Sequence, residues 1–292
     1  MKSPDKNSNL STTEEEWDLV ISPRKKWYDL QLAEVWNYRD LIAMFVRRDF
    51  VSRYKQTILG PLWFLFQPLM TSLVFQVVFG NIAQLPTDGL PQLLFYMSGT
   101  VLWSYFSSCL NGTSQTFIGN AQLLGKVYFP RLVIPISIVI SNMINFVIQL
   151  ALFLVLVGFF LLRGAEIRFT AWAFTLPLLV LLMAGLGLGL GIIVSSLTTK
   201  YRDLQNLVSF GVNLLMYLTP VIYPVSSIPQ QWRFLADWNP VTPIIETFRM
   251  GFLGAGDTSW MRLGYSALFT IVILFIGIVI FNRVEKTFID TV

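Results

Sequence analysis

The chain contains no histidine and a single cysteine, Cys109. Imidazole acid–base catalysis, His/Cys zinc sites and an intrachain disulfide are thereby excluded. Cys109, inside an apolar stretch, reads as a small packing residue. Charge is scarce as well. Only 13% of the 292 residues are Asp, Glu, Lys or Arg, against about 25% in soluble domains. No apolar core of a signal peptide occurs within Met1–Arg39, so the N-terminus is expected in the cytoplasm. After Lys55 no charged residue appears until Asp88.

What is abundant is apolar surface, 54% of the residues, with 15% aromatic. That composition specifies an all-α polytopic membrane protein. A spanning helix needs roughly 20 mainly apolar residues. Six charge-poor segments qualify: Gln56–Thr87, Gly89–Gly125, Leu132–Leu162, Phe169–Thr199, Leu204–Trp232 and Leu263–Asn282. Several exceed one crossing, so tilted, re-entrant or interfacial pieces are expected among them. The expected organisation is a polar cytoplasmic tail (1–29), an amphipathic surface helix (30–55) and a six-span domain (56–292).

Orientation follows from the basic residues. Ten Lys and Arg precede span one, and Lys126, Arg131, Lys200, Arg202, Arg283 and Lys286 bring that side to sixteen. Arg163, Arg168, Arg233, Arg249 and Arg262 make five on the other. The positive-inside rule then places both termini in the cytoplasm of a multi-pass protein. The net charge of +4 is a topology signal rather than a nucleic-acid footprint.

Helical spacing runs through Leu30–Arg53, with Tyr38, Ile42, Phe45, Val46 and Phe50 on one side and Asp40, Arg47, Arg48 and Lys55 opposite. Asp49 and Arg53, at i,i+4, are expected to pair. Gly185, Gly187, Gly189 and Gly191 fit close helix packing; as a dinucleotide fingerprint they fail, because Leu190 stands where glycine is needed. Gly119 to Gly125-Lys126 imitates a phosphate loop, but the spacer is one residue too long and Val127 replaces Ser or Thr. This chain therefore does not hydrolyse ATP. The segment 119–131 is either an ordinary loop or a docking helix for a cytoplasmic partner. The external segment 226–261, rich in Pro and Trp, is either an interfacial anchor or a set of helices dipping into the outer leaflet, with Glu246 and Arg249 paired at i,i+3.

Five stretches resemble one family: RRDFVSRYKQTILGPLWFLFQP (Arg47–Pro68), FPR (Phe129–Arg131), KYRDLQNL (Lys200–Leu207), LTPVIYPVSSIP (Leu218–Pro229) and NPVTPIIETFR (Asn239–Arg249). They are similar to the permease subunit of ABC-type polysaccharide exporters, which serve O-antigen, capsule and teichoic-acid export. The resemblance covers the chain from about Val20. It implies a homodimer in the bacterial inner membrane, driven by two copies of a separate ABC ATPase subunit that binds the ATP and Mg. The substrate would be a polysaccharide linked to undecaprenyl diphosphate, and this chain would need no cofactor or metal.

The residues fit such a machine. Arg47, Arg48, Arg53 and Lys55 are available for a diphosphate head group, or simply fix topology and meet anionic lipid. Trp63, Phe66, Gln67, Tyr105, Tyr217 and Tyr223 could line a sugar channel, since apolar sugar faces pack on aromatic rings; lipid-facing positions suit them equally. Asn120, Leu123, Leu124, Lys126, Tyr128 and Arg131 would couple to the ATPase. Pro240, Pro243, Glu246 and Arg249 would belong to the outer gate.

Competing classes are disfavoured. The confident span interiors hold no ionisable group of the kind ion-coupled transporters use. A membrane-embedded glycan enzyme would need clustered acid–base residues, and Asp88, Glu246 and Asp257 are scattered. An exporter of the same architecture for another lipid or a drug is the remaining alternative.

Overall fold

The computed structural model describes residues 32–55, 60, 62–124, 126–127, 129–199, 201 and 203–288. The polar tail, Tyr128, Lys200 and Arg202 lie outside that set, as do the side chains of Arg53 and Leu124. Among the described residues every regular element is helical. The helices are α1 (Leu32–Asn37), α2 (Arg39–Tyr54), α3 (Leu62–Phe75), α4 (Gln92–Ser114), α5 (Thr116–Gly119), α6 (Ala121–Leu124), α7 (Val133–Leu162), α8 (Leu176–Thr198), α9 (Leu204–Leu218), α10 (Arg233–Trp238), α11 (Val241–Leu253) and α12 (Trp260–Phe288). Short 3₁₀ turns at Ala171–Thr175, Val225–Ser227 and Gln230–Trp232 join them.

Five helical stretches are long and apolar enough to cross a bilayer: Leu62–Ile82, Gln92–Ser114, Val133–Leu162, Ala171–Thr198 and Trp260–Val284. The first carries Pro68, which removes one ladder hydrogen bond, and it continues as a π-helix over Gln76–Ile82. The fifth expected segment, Leu204–Trp232, forms only the 15-residue α9, about 22 Å of helix against a roughly 30 Å hydrocarbon core. Its end has a local cause. Thr219 precedes Pro220, whose ring disfavours helical backbone at the residue before it, and Thr219 is extended at φ −99° and ψ 144°. The surface helix likewise divides into two, because Tyr38 leaves the helical region between α1 and α2.

At the centre, α4 packs against α8 and α7, while α12 closes on α8. The glycines of α8 serve two neighbours. A Cβ at Gly187 would lie 2.7 Å from Cys109 Cβ and 3.1 Å from the Phe106 carbonyl on α4; one at Gly189 would lie 3.1 Å from the Ile273 and Leu274 backbone on α12. Alternate glycines thus bring two backbones against one helix, the close approach that glycine spacing predicts. Such contact gives van der Waals attraction where lipid offers no hydrophobic drive.

Candidate functional site

Three polar regions punctuate this apolar bundle. The first lies where α11 enters it. Arg249 is 1% exposed, and its Nη1 stands 3.2 Å from Glu246 Oε1, the expected i,i+3 pair. The guanidinium also donates to Ser98 Oγ (3.1 Å) and to the carbonyls of Pro220 (2.7 Å) and Val221 (2.9 Å), and it sits 3.8 Å above the Phe95 ring. Glu246 accepts from the Asp257 amide at 3.0 Å. One guanidinium therefore joins α4, α11 and the turn after α9. Asn239 donates to Thr219 Oγ1 and Ser266 donates to the Pro240 carbonyl, which fixes the entrance of α11 from both sides. Pro243 is buried in its first turn, and left-handed Gly254 (φ +79°) ends it. Within the 226–261 segment α11 is thus packed into the bundle, while Trp232, Trp238 and Trp260 stay exposed. Tyr223 donates to the Tyr217 carbonyl near the same turn.

The second region is the surface helix. Buried Phe45 meets Phe129 edge-on, with ring centroids 6.0 Å apart, which fastens α2 to the turn before α7. Beside it runs a groove of about 950 Å³ between α2 and α7, floored by Ile42, Val46, Ile136 and Ile140 and rimmed by Arg39 and Arg47. Arg47 thus borders the apolar face rather than opposing it. Asp49 pairs with Arg48 at 2.8 Å; its expected partner Arg53 has a side chain outside the described residues. Arg48 is held there because its guanidinium also rests on the Phe45 ring, 4.8 Å from the centroid. Lys55 is exposed at the end of α2.

The third region is a cleft of about 340 Å³ between α3, α4 and α7, lined mainly by serine, asparagine and glutamine side chains.

A family model described as ABC-2 type transporter matches residues 40–253, from the start of α2 to the end of α11. The chain belongs to the ABC-2 type transporter family. Among its relatives, the O-antigen export system permease protein RfbA of Klebsiella pneumoniae is 28% identical over 85% of this chain and 93% of that protein. RfbA of Myxococcus xanthus is 30% identical over 76% of this chain and 83% of that protein. The polysialic acid transport protein KpsM of Escherichia coli is 25% identical over 84% and 93% respectively. This ABC-2 chain is accordingly a multi-pass membrane permease.

Within the permease the expected channel residues do not form one site. Trp63 and Phe66 are exposed and stack edge-on at 5.7 Å near the start of α3. Tyr217 and Tyr223 lie together near the end of α9. Tyr105 is a core residue; its ring packs on Phe146 and its hydroxyl points at the Met143 sulfur. Gln67 lines the polar cleft. In the 119–131 segment, Lys126 is exposed, Leu123 is half-buried and Asn120 donates to the Thr116 carbonyl. Arg131 is buried at 6% exposure, so it supports the turn from beneath. The Phe117 amide donates to Ser195 and its ring stacks on Phe281 at 4.6 Å, which links this segment to α8 and α12.

The polar cleft was the feature that motif reading missed. Asn142, Asn145 and Gln149 recur at i, i+3 and i+7, which places them on one face of an otherwise apolar helix. That pattern is visible in the sequence.

Proposed function

We propose that this chain is the membrane subunit of an ATP-driven exporter that moves polysaccharide linked to undecaprenyl diphosphate from cytoplasm to periplasm. The observation that carries the reading is the groove between α2 and α7. Its isoleucine floor suits a polyprenyl chain, and Arg47 at its rim suits the diphosphate. Arg48, Arg53 and Lys55 continue the same basic cluster. The names of the relatives agree with a glycan cargo.

In this reading two copies of the chain form a homodimer and bind two copies of an ABC ATPase, which supplies the ATP and Mg chemistry. The cytoplasmic segment at 119–131 receives the ATPase through Leu123, Leu124, Lys126 and Tyr128, while Asn120 and Arg131 brace it. Trp63, Phe66, Gln67, Tyr217 and Tyr223 contact the moving chain. Pro240, Pro243, Glu246 and Arg249 belong to the outer gate. Both termini are cytoplasmic, and α9 completes a sixth crossing together with the turn that follows it.

Copurification with the ATPase, followed by reconstitution, tests this. Polyprenyl-diphosphate glycan is expected to raise ATP turnover of the complex. Failure to copurify any ATPase, or turnover indifferent to the glycan lipid, contradicts the proposal.

A further inference from the structure

The cleft between α3, α4 and α7 is built unlike the rest of the bundle. Ser104 and Asn111 face it from α4, Asn145 and Gln149 from α7, and Gln67 from α3, with Phe64 as an aromatic wall. Every polar residue lining it is a hydroxyl or an amide; none is ionisable. Gln149 lies sixteen residues beyond the start of α7, about 24 Å along the helix. Gln115, just after α4, also lines the cleft. It therefore runs from the end of the bundle that carries α5 to about mid-depth.

Its side chains are incompletely satisfied. Gln149 is 8% exposed, yet its Oε1 accepts no hydrogen bond from the protein, and the same is true of Asn111 Oδ1. Buried polar atoms are almost always partnered, and such an atom is costlier still at membrane depth. Both oxygens are closed off from solvent and belong to the polar wall; Gln67, Ser104 and Asn145 are the accessible groups that a ligand in the cleft would meet.

The ligand's chemistry follows from the lining. A phosphate or carboxylate is best held by Arg or Lys, and a metal ion by carboxylates or imidazoles. Neither set is present in this cleft. Hydroxyls and primary amides both donate and accept, which matches a sugar ring whose hydroxyls do the same. Phe64 adds an aromatic side chain to the lining, of the kind that sugar C–H groups pack against. We infer that this cleft is a binding subsite for neutral saccharide units, distinct from the head-group groove on α2. The inference rests on the export reading above. It divides recognition into two places: lipid diphosphate beside α2, and sugar between α3, α4 and α7.

Two probes separate them. The chain and its ATPase, in nanodiscs, are titrated with undecaprenyl diphosphate alone and with the same lipid carrying a neutral oligosaccharide, and half-maximal ATPase stimulation is read for each. The natural protein is expected to respond to the sugar-bearing probe at a concentration at least tenfold lower. Asn111→Leu and Gln149→Leu, nearly isosteric and apolar, should shrink that preference to within twofold while the response to the sugarless lipid stays put. Asn145→Ala, a milder change at a partly exposed position, should reduce the preference about threefold even if the other two assemble poorly. An undiminished preference in Asn145→Ala and in any assembled leucine variant overturns the assignment. Equal loss of response to both probes, or loss of the dimer in their place, also overturns it and marks the cleft as a packing or subunit surface. If the natural protein answers neither probe, the export reading itself falls and the cleft assignment with it.

Discussion

Two arginine-bearing regions of this permease, one on α11 and one on α2, are opposites. On α11, Arg249 is buried, paired with Glu246 and saturated with carbonyl and hydroxyl partners. On α2, Arg47 and Arg48 are exposed, and among the described residues only Arg48 has an ion-pair partner, Asp49. A guanidinium whose donors are all occupied by its own protein has little left for a substrate. Its role is to hold three chain segments in one place. A guanidinium at the rim of an apolar groove keeps its donors free for an anion. Both residues are arginine in a membrane protein, so type alone does not distinguish a fastener from a ligand-binding group; the satisfaction of the donors does.

The largest effect is expected from removing one partner of the buried pair. Arg249→Met leaves Glu246 uncompensated in the interior, which costs about 3–5 kcal/mol for buried pairs. A large fall in the thermal midpoint of the detergent-solubilised chain is expected, with loss of monodisperse protein. Glu246→Gln combined with Arg249→Met removes both charges and should recover part of the loss. If Arg249→Met melts like the natural chain, the Arg249 cluster is not a fastener.

On α2 the expected pattern is the reverse: normal stability and impaired function. Arg47→Gln removes a charge-assisted contact of about 1.5–3 kcal/mol. The glycan-lipid concentration for half-maximal ATPase stimulation should rise tenfold or more, with the melting midpoint unmoved. Arg48→Gln should have a smaller effect, because that guanidinium already serves Asp49 and rests on Phe45. Equal effects of the two substitutions would show that the Asp49 pair does not compete with the substrate.

The smallest structural effect sharpens the comparison in the bundle between the two regions. Gly187→Ala adds one methyl 2.7 Å from Cys109 Cβ and close to the α4 backbone. Overpacking of this kind costs about 1–3 kcal/mol, and a modest drop in melting midpoint is expected. Gly158→Ala, where an added Cβ meets nothing within 4 Å, is the control and should melt like the natural chain. An equal drop at both positions would remove the close-approach explanation.

How far these features were legible depended on whether their cause was local. Glu246 and Arg249 are three residues apart, so helical geometry alone brings them together. The alternating glycines of α8 announced close packing for the same reason, though not that two different helices share them. The length of α9 was legible in principle from Thr219-Pro220, but a charge-free run through Trp232 masked the stop. Three-dimensional packing decided the rest. Tyr105 and Trp63 are both aromatic residues in apolar segments, yet one is core and the other exposed. The polar cleft draws on three segments whose scattered serines and amides each look like routine helix-packing residues.

Whether the groove between α2 and α7 holds a polyprenyl diphosphate, as proposed, can be read by photo-crosslinking. A benzophenone amino acid in place of Ile140, on the groove floor, is compared with one in place of Phe234 on α10, outside it. Each variant is irradiated in nanodiscs containing undecaprenyl diphosphate, and the adduct is read by intact mass. An undecaprenyl-diphosphate adduct is expected at position 140, diminished by Arg47→Gln, with little at position 234. Equal labelling at the two positions, or labelling at 140 that ignores Arg47, would contradict it.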